Sequence, residues 1–195
     1  SRQDILSNLE FKFENKLATY DTAKLIIGDE KFVPIKNYSL IQDSTAKKLI
    51  LSHAWIPDNK YSVIILKDFA KDSLGNSITR TDTLEFQSKK ESDYGSLDIK
   101  LSNLDSNRHP ILQLYRDETV EFSQPLLQNR YKIRLFRPNE YEVRILFDSN
   151  NNGQWDTGNY WKKLQPEKII TRKQKLTIRP NWDNELEINL LDFEN

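Results

Sequence analysis

Residues 130–147 read RYKIRLFRPNEYEVRILF, and this stretch decides the fold. Charged and apolar side chains alternate along it, both before and after Pro138. Successive side chains of a β-strand point to opposite faces of a sheet, so a period of two residues predicts a strand with one buried face. The stretch therefore predicts two strands separated by a short connection.

The same residues also predict how the two strands pair. Placing Leu135 opposite Tyr141 brings Arg134 opposite Glu142, so that unlike charges meet on one face while apolar side chains meet on the other. We expect an antiparallel hairpin with this register. Asn139 lies in its loop and is expected to supply the turn, because asparagine tolerates the left-handed conformation.

The alternation continues through the rest of the chain, whereas helical spacing of apolar residues is rare. In the first half it predicts strands at residues 9–13, 24–27, 31–36, 38–43, 48–54, 61–66 and 81–87. In the second half it predicts strands at residues 97–101, 111–115, 130–136, 141–147, 167–171, 175–178 and 186–190. Seven short strands in each half, separated by turn-forming residues, are typical of a β-sandwich.

A polar segment separates the two halves. Residues 88–93 read SKKESD and contain no apolar side chain. Connections between domains are commonly polar and exposed, so we place a domain boundary here. The sequence predicts an all-β protein with two tandem β-sandwich domains, residues 1–90 and residues 91–195.

Composition excludes several classes of function. The 29 basic and 29 acidic side chains cancel, so there is no surplus of positive charge to attract nucleic acid. The basic residues Arg130, Lys132 and Arg134 are therefore interpreted as a solvated strand face with cross-strand charge pairs. The longest apolar run, 63–66, is far too short for membrane insertion by a helix. The absence of cysteine excludes disulfides and thiolate metal sites.

The residues suited to catalysis are few. His53 and His109 are the only histidines, and they lie in different halves of the chain without the spacing of a zinc motif. We interpret both as surface or capping residues. A pair of catalytic carboxylates is defined by spatial position and leaves no sequence signature. We expect that the protein is not an enzyme.

The best candidate for a metal site is the segment 148–156. Asp148, Asn150, Asn152 and Asp156 offer side-chain oxygens at alternate positions, and Gln154 offers a backbone carbonyl, as at the start of a calcium loop. The twelfth position lacks the glutamate that such loops use, so weak calcium binding is expected. The alternative is a tight turn whose side chains bond to its own backbone, which requires no metal.

Aromatic side chains flank this segment. Trp155, Tyr160 and Trp161 could stack on sugar rings and form a carbohydrate-binding surface. Large aromatic residues more often pack in a core or across strands, so packing is the preferred interpretation. Trp55 and Trp182 are likewise interpreted as core or edge-packing residues.

The first half resembles the bacterial Ig-like domain of the S-layer-protein (SbsA) type over residues 5–87. The resemblance depends on an opening Phe11-Lys12-Phe13 alternation and on Tyr61, Phe69, Asp72, Gly75-Asn76 and Phe86.

The second half, residues 94–195, resembles the prealbumin-like (transthyretin-like) domains related to carboxypeptidase regulatory domains, which often follow such Ig-like modules in bacterial surface lipoproteins. The resemblance is carried by three segments: 138–144, PNEYEVR; 148–160, DSNNNGQWDTGNY; and 165–167, QPE, followed by Asn181-Trp182. One departure is Asn139, where such domains usually carry glycine.

Together these resemblances imply the C-terminal part of an exported, non-catalytic bacterial surface lipoprotein. Its localisation would be the cell surface or periplasm, with a lipid anchor in a region N-terminal to this segment. Upstream domains of the same protein or other cell-surface molecules would be its partners. The sequence thus predicts a structural or interaction module, and the alternative is a carbohydrate-binding accessory module.

Overall fold

The computed structural model describes residues 2–193, and its regular elements are β-strands apart from short 3-10 helices at Thr22–Lys24, Glu91–Asp93, Ser106–Arg108 and Leu190–Phe193. The predicted all-β fold class is confirmed. The chain divides into two compact units, Ser1–Glu91 and Ser92–Asn195. Across the described residues, no helix is both long enough and apolar enough to cross a membrane.

The first unit is a sandwich of short sheets. Its strands are β1 (Arg2–Gln3), β2 (Leu9–Lys12), β3 (Leu17–Tyr20), β4 (Leu25–Asp29), β5 (Ser39–Gln42), β6 (Lys48–Ser52), β7 (Lys60–Ile65), β8 (Ala70–Asp72) and β9 (Asp82–Ser88). One sheet has the order β1-β9-β7-β4, a second has the order β2-β6-β5, and β3 pairs with β8. All pairs are antiparallel except β1 with β9.

The core of the first unit draws apolar side chains from all three sheets. Its buried members are Leu17, Leu25, Ile27, Leu49, Leu51, Trp55, Tyr61, Val63, Phe69, Ala70 and Phe86. On β6 the buried residues Leu49 and Leu51 alternate with more exposed ones, as the two-residue period predicted. The alternation is therefore a consequence of packing one face of each strand against the core.

The strand predicted at residues 31–36 is wrong. The chain instead turns after β4, and the Asp29 carboxylate accepts hydrogen bonds from the backbone N–H groups of Lys31 (2.8 Å) and Val33 (3.0 Å). Phe32 adopts a positive φ of 59°, which ends extended structure. Pro34 forms an isolated antiparallel bridge with Gly28 outside the named strands. The hydrogen bonds to the Asp29 carboxylate thus favour a turn here, although the segment 31–36 contains apolar side chains that are typical of a strand.

The turn after β8 is organised by one carboxylate. Asp72 accepts hydrogen bonds from the side-chain amides of Asn76 (3.0 Å) and Asn15 (2.9 Å), and from the backbone N–H groups of Leu74 (2.9 Å) and Asn76 (2.8 Å). Gly75 completes the turn with a φ of 89°. The hydrogen bond from the Asn76 side chain, followed by that from Asn15, lowers the pKa of Asp72 from 3.8 to about 2.

This pKa predicts acid sensitivity of the first unit. Because the folded-state pKa lies below the unfolded one, the stabilisation is complete above pH 3.8 and is lost as the pH falls through about 2. We expect the thermal midpoint to fall over this window, and the Asp72→Asn variant to show a smaller fall. Circular dichroism melts across the window test this, and equal pH dependence in both proteins would contradict it.

The strands of the second unit form two sheets. Its strands are β10 (Gly95–Ser102), β11 (Pro110–Arg116), β12 (Thr119–Pro125), β13 (Arg130–Phe136), β14 (Asn139–Phe147), β15 (Lys168–Thr171), β16 (Leu176–Ile178) and β17 (Asp183–Asn189). One sheet has the order β13-β10-β17, with β10 and β17 parallel. The other has the order β12-β11-β14-β15, and β16 also pairs with β14.

Both sheets of the second unit contribute to one buried core. The three-stranded sheet supplies Leu97, Ile99, Leu101, Phe136, Leu186 and Ile188. The larger sheet supplies Leu112, Leu114, Tyr141, Val143, Ile145, Phe147, Leu176 and Ile178, and Leu126 and Leu190 complete the cluster. Two apolar sheet faces packed around a shared core make this unit a β-sandwich.

The predicted hairpin of residues 130–147 is wrong, although both of its strands exist. β13 pairs with β10, whereas β14 pairs with β11, so the chain passes from one sheet to the other at Arg137-Pro138. Consequently Arg134 and Glu142 do not form a cross-strand pair. Asn139 is also not a left-handed turn residue, because it begins β14 and pairs with Ile178.

The passage between the sheets is held by aromatic packing. The Phe136 and Tyr141 rings lie 5.4 Å apart in an edge-to-face arrangement. The Tyr141 hydroxyl donates a hydrogen bond to the Arg137 carbonyl (2.9 Å). β13 and β14 each bury one face in the same core, so apolar and polar side chains must alternate along both strands. This alternation therefore cannot distinguish a hairpin from a chain that passes between two packed sheets.

The basic face of β13 has acidic neighbours on its own sheet. In register, Asp98 of β10 lies between Lys132 of β13 and Glu185 of β17. Arg130 donates to the Asp98 carboxylate through two guanidinium nitrogens, and this hydrogen bonding lowers the pKa of Asp98. Lys100 contacts Glu185 at 3.0 Å. This charge-paired arrangement is the solvated strand face that the sequence predicted.

Candidate functional site

The candidate site is the long connection between β14 and β15 in the second unit. Phe147 ends β14 and is the register partner of Lys168, which begins β15. The sheet therefore closes the base of the connection, and residues 148–167 form a loop beyond its edge. All residues predicted for the calcium and aromatic sites lie in this loop.

Asp148 anchors the first turn of the loop. Its side chain is buried, with 1% exposed. The carboxylate accepts hydrogen bonds from the backbone N–H groups of Asn152 (3.2 Å, to Oδ1) and Gly153 (2.6 Å, to Oδ2). Asn151 and Gly153 adopt positive φ values of 58° and 78°, which allow the chain to wrap around this carboxylate.

The other predicted ligands surround the same turn. The side-chain amides of Asn150 and Asn152 both donate to Oδ2 of Asp156, at 2.6 and 2.8 Å. Their carbonyl oxygens accept from the backbone N–H groups of Asn152 (3.1 Å) and Gln154 (2.7 Å). The structure thus brings all five predicted residues together, and their polar groups bond to one another and to the backbone as the turn alternative expects.

Glu167 is a site residue that the sequence reasoning missed. Its side chain is 8% exposed and lies at the end of the loop. Oε1 accepts hydrogen bonds from the backbone N–H (2.7 Å) and hydroxyl (2.8 Å) of Ser149, and Oε2 accepts from the backbone N–H of Asp156 (3.2 Å). This one carboxylate therefore ties both ends of the turn to the start of β15.

The backbone of Glu167 adds two further ties. Its N–H donates to the Asp156 carbonyl (3.0 Å), and its carbonyl accepts from the indole N–H of Trp155 (2.8 Å). Glu167 lies too far along the chain from Asp156 for any metal-loop spacing to include it. Within residues 2–193, no group of three or more His, Cys, Asp and Glu side chains is placed to hold a metal ion.

The aromatic side chains of the loop do not pack in the core. Tyr160 and Trp161 are 88% and 91% exposed, and their rings meet edge to face at 5.8 Å. Trp155 is half exposed. The expectation that these residues serve packing is therefore wrong for Tyr160 and Trp161. The same expectation is correct for Trp55, which is buried, whereas Trp182 is exposed.

A small hairpin presents the two exposed rings. The backbones of Asn159 and Leu164 exchange hydrogen bonds at 2.9 and 3.0 Å, so residues 160–163 form its tip. Gly158 precedes it with a φ of 77°, and a Cβ there would lie 2.6 Å from the Leu164 carbonyl oxygen. Glycine is thus required at this position. The result is an aromatic tip, Tyr160-Trp161, that projects from an ordered base.

A surface cavity of about 450 Å³ lies beside the aromatic tip. Its polar lining comprises Ser149, Asn150, Asp156, Asn159, Lys162, Gln165 and Glu167. The volume falls within the range of small-molecule sites, roughly 300–1,000 Å³. Amide, hydroxyl and carboxylate groups of this kind form hydrogen bonds with hydroxyl-rich ligands.

The two histidines lie in different units. Nδ1 of His53 is 2.7 Å from the Asn37 carbonyl oxygen, and its ring packs edge to face on Trp55 and Tyr61. His109 follows a 3-10 helix in the left-handed conformation, and its Nδ1 is 3.2 Å from the Asp148 carbonyl oxygen. His109 thus acts as the capping residue that the sequence predicted.

Comparisons with known proteins give limited similarity. No protein-family model matches the chain, and no curated protein matches it. Among solved structures, it is similar to native alpha-2-macroglobulin from Escherichia coli spanning domains MG0-NIE-MG1, with 11% identity and a TM-score of 0.42 over 89% of this chain and 91% of that chain. It is also similar to the N-terminal Ig1-2 module of the Drosophila receptor protein tyrosine phosphatase DLAR, with 8% identity and a TM-score of 0.22 over 93% and 99% of the two chains.

Proposed function

We propose that the chain is a non-catalytic structural or interaction module of an exported bacterial cell-surface protein, anchored through lipid at a more N-terminal region. The sequence resemblance to Ig-like and prealbumin-like modules supports this proposal. Upstream domains of the same protein and other surface molecules are the proposed partners. The observation that carries it is the loop 148–167, in which buried carboxylates fix a base that displays exposed aromatic rings.

Calcium is proposed to stabilise the base of this loop. Side-chain oxygens of Asp148, Asn150, Asn152 and Asp156, with the Gln154 carbonyl, would hold the ion, since hard cations prefer oxygen ligands. With two carboxylates in the set, we expect a dissociation constant on the order of 0.1–1 mM, as in extracellular modules. The ion would replace the Asn150 and Asn152 side-chain amides that now donate hydrogen bonds to the Asp156 carboxylate.

Calcium is therefore expected to raise the melting temperature of the second unit. At about ten times the dissociation constant, binding contributes about 1.4 kcal/mol, which corresponds to roughly 5–10 °C for a domain of this size. Calorimetry with calcium, magnesium or chelator measures the shift. The Asp156→Ala variant should lose the calcium response, and identical transitions in calcium and chelator would reject the site.

Carbohydrate binding is a second candidate function, favoured by the exposure of Tyr160 and Trp161 beside a polar cavity. Exposed aromatic faces stack on the apolar faces of sugar rings, and neighbouring polar groups bond to the hydroxyls. In this role the Tyr160 and Trp161 rings would stack on a glycan, and the half-exposed Trp155 would lie beneath them at the base of the loop.

The Trp161→Ala variant separates the two candidate functions. If the tip binds glycan, truncating a central aromatic contact should weaken binding at least about tenfold. A glycan array followed by polysaccharide pull-down measures this, with Trp182→Ala as a matched control because that tryptophan is also exposed. If the wild-type protein binds no glycan, only the structural role remains. If the Trp161→Ala protein binds glycan as well as the wild type does, the aromatic tip is not the binding surface.

A further inference from the structure

The turn around Asp148 contains a chemically labile pair, Asn152-Gly153. Both residues are exposed, and a Cβ added to Gly153 would meet no atom within 4 Å. Asparagine followed by glycine is prone to spontaneous deamidation, because glycine has no side chain to hinder approach of its backbone nitrogen to the preceding carboxamide. The loop therefore carries an exposed Asn-Gly pair in the turn around Asp148.

The reaction requires no partner except water. The backbone nitrogen of Gly153 attacks Cγ of Asn152, and its proton leaves with the departing ammonia as the Cγ–Nδ2 bond breaks. Water then opens the resulting five-membered imide. Opening at one carbonyl gives aspartate, and opening at the other gives isoaspartate, in which the main chain runs through the former side chain.

The folded loop opposes each requirement of this chemistry. The attacking nitrogen must lose its proton, yet the Gly153 N–H is held at 2.6 Å by the Asp148 carboxylate, which favours the protonated form. The carboxamide must rotate toward that nitrogen, yet its Nδ2 donates to Asp156 (2.8 Å) and its Oδ1 accepts from Gln154 (2.7 Å). Three hydrogen bonds must break before the imide can form.

We infer that Asn152 is a deamidation site that the native loop protects. Its deamidation therefore takes place when the loop opens, and the modified fraction increases with the time spent open. Either product prevents the loop from closing again in the same form. Aspartate at position 152 lacks the amide donor and places a second carboxylate beside Asp156, where like charges repel. Isoaspartate adds one methylene to the backbone and displaces the N–H groups of Gly153 and Gln154 from their acceptors.

Peptide mapping by mass spectrometry tests the inference. The whole chain is incubated at neutral pH with chelator, either folded or in denaturant, and the one-dalton mass gain at Asn152 is followed over time. Because a charge-assisted hydrogen bond must break first, we expect the folded protein to react about ten- to a hundredfold more slowly. Asn150 and Asn151, which precede asparagine residues, serve as internal controls in the same peptide.

Two variants separate protection by the loop from protection by the fold in general. Asp156→Ala removes the acceptor of the Asn152 Nδ2 hydrogen bond, one of the three that must break, without touching the buried Asp148. It should therefore accelerate deamidation in a protein whose circular dichroism remains native. Gly153→Ala, measured in denaturant, should slow the reaction by restoring steric hindrance. Equal rates in the folded and denatured wild type, or an unchanged rate in folded Asp156→Ala, would overturn the inference.

Discussion

Replacing Trp55 with alanine is expected to destabilise the first unit by about 3–5 kcal/mol, the usual cost of removing a buried aromatic side chain. The indole is 5% exposed, and its ring lies 5.0 Å from that of Tyr61 and 5.4 Å from that of Phe86. Its N–H also donates to the Ser7 carbonyl (3.0 Å). The substitution would leave a cavity, remove edge-to-face contacts and take away one of the two donors to the Ser7 carbonyl, which also accepts from the Gln3 side-chain amide (3.0 Å).

Urea unfolding followed by far-ultraviolet circular dichroism measures this loss, because that signal reports mainly on the backbone and still follows unfolding after the tryptophan is removed. Trp182→Ala is the matched control. That side chain is exposed, and its contact is the Arg179 guanidinium 5.2 Å from the ring, so we expect a change below about 1 kcal/mol. Similar losses in the two variants would contradict the assignment of Trp55 to the core.

Side-chain alternation was sufficient to predict the fold class and most strands, because it reports directly which face of a strand is buried. It failed where another effect controls the backbone. The Asp29 carboxylate converts the apolar segment 31–36 into a turn. The edge strand β12 carries only Val120 and Phe122 as large apolar side chains and pairs with β11, so its alternation is too short to predict a strand.

Strand pairing was the least predictable feature. The charges of Arg134 and Glu142 and the apolar side chains between them fit a hairpin register, yet β13 and β14 belong to different sheets. In a sandwich, both inward faces must be apolar whichever strand lies beside them. Pairing partners are therefore decided by the whole core, to which β10 and β11 contribute from elsewhere in the chain.

The candidate site was predictable only where its residues lie close together in the sequence. The spacing of Asp148, Asn150 and Asn152 is local, so the sequence predicted that these side chains gather around one turn. Glu167 joins them only because β15 returns along β14, which is a tertiary event. A weak signal existed, since Glu167 lies at the predicted start of that strand. The exposure of Trp161 also depends on the hairpin that carries it, and composition does not encode it.

Glu167→Ala is expected to destabilise the second unit by about 2–4 kcal/mol, although the residue lies in a loop. The buried carboxylate receives three donors, from the backbone and hydroxyl of Ser149 and from the backbone of Asp156. Removing it would leave these donors without an acceptor in a part-buried site. The cost should therefore exceed that of an ordinary surface ion pair, which is about 0–1 kcal/mol.

Glu187→Ala provides the comparison, because that carboxylate is exposed and lies 3.5 Å from Lys100 on the charged strand face. We expect its unfolding midpoint in urea to remain near that of the wild type. Glu167→Gln adds a second test, since a neutral amide keeps one acceptor oxygen and should recover part of the loss. If Glu167→Ala and Glu187→Ala had equal midpoints, the base of the loop would not depend on this carboxylate, and the ordered platform beneath Tyr160 and Trp161 would need another explanation.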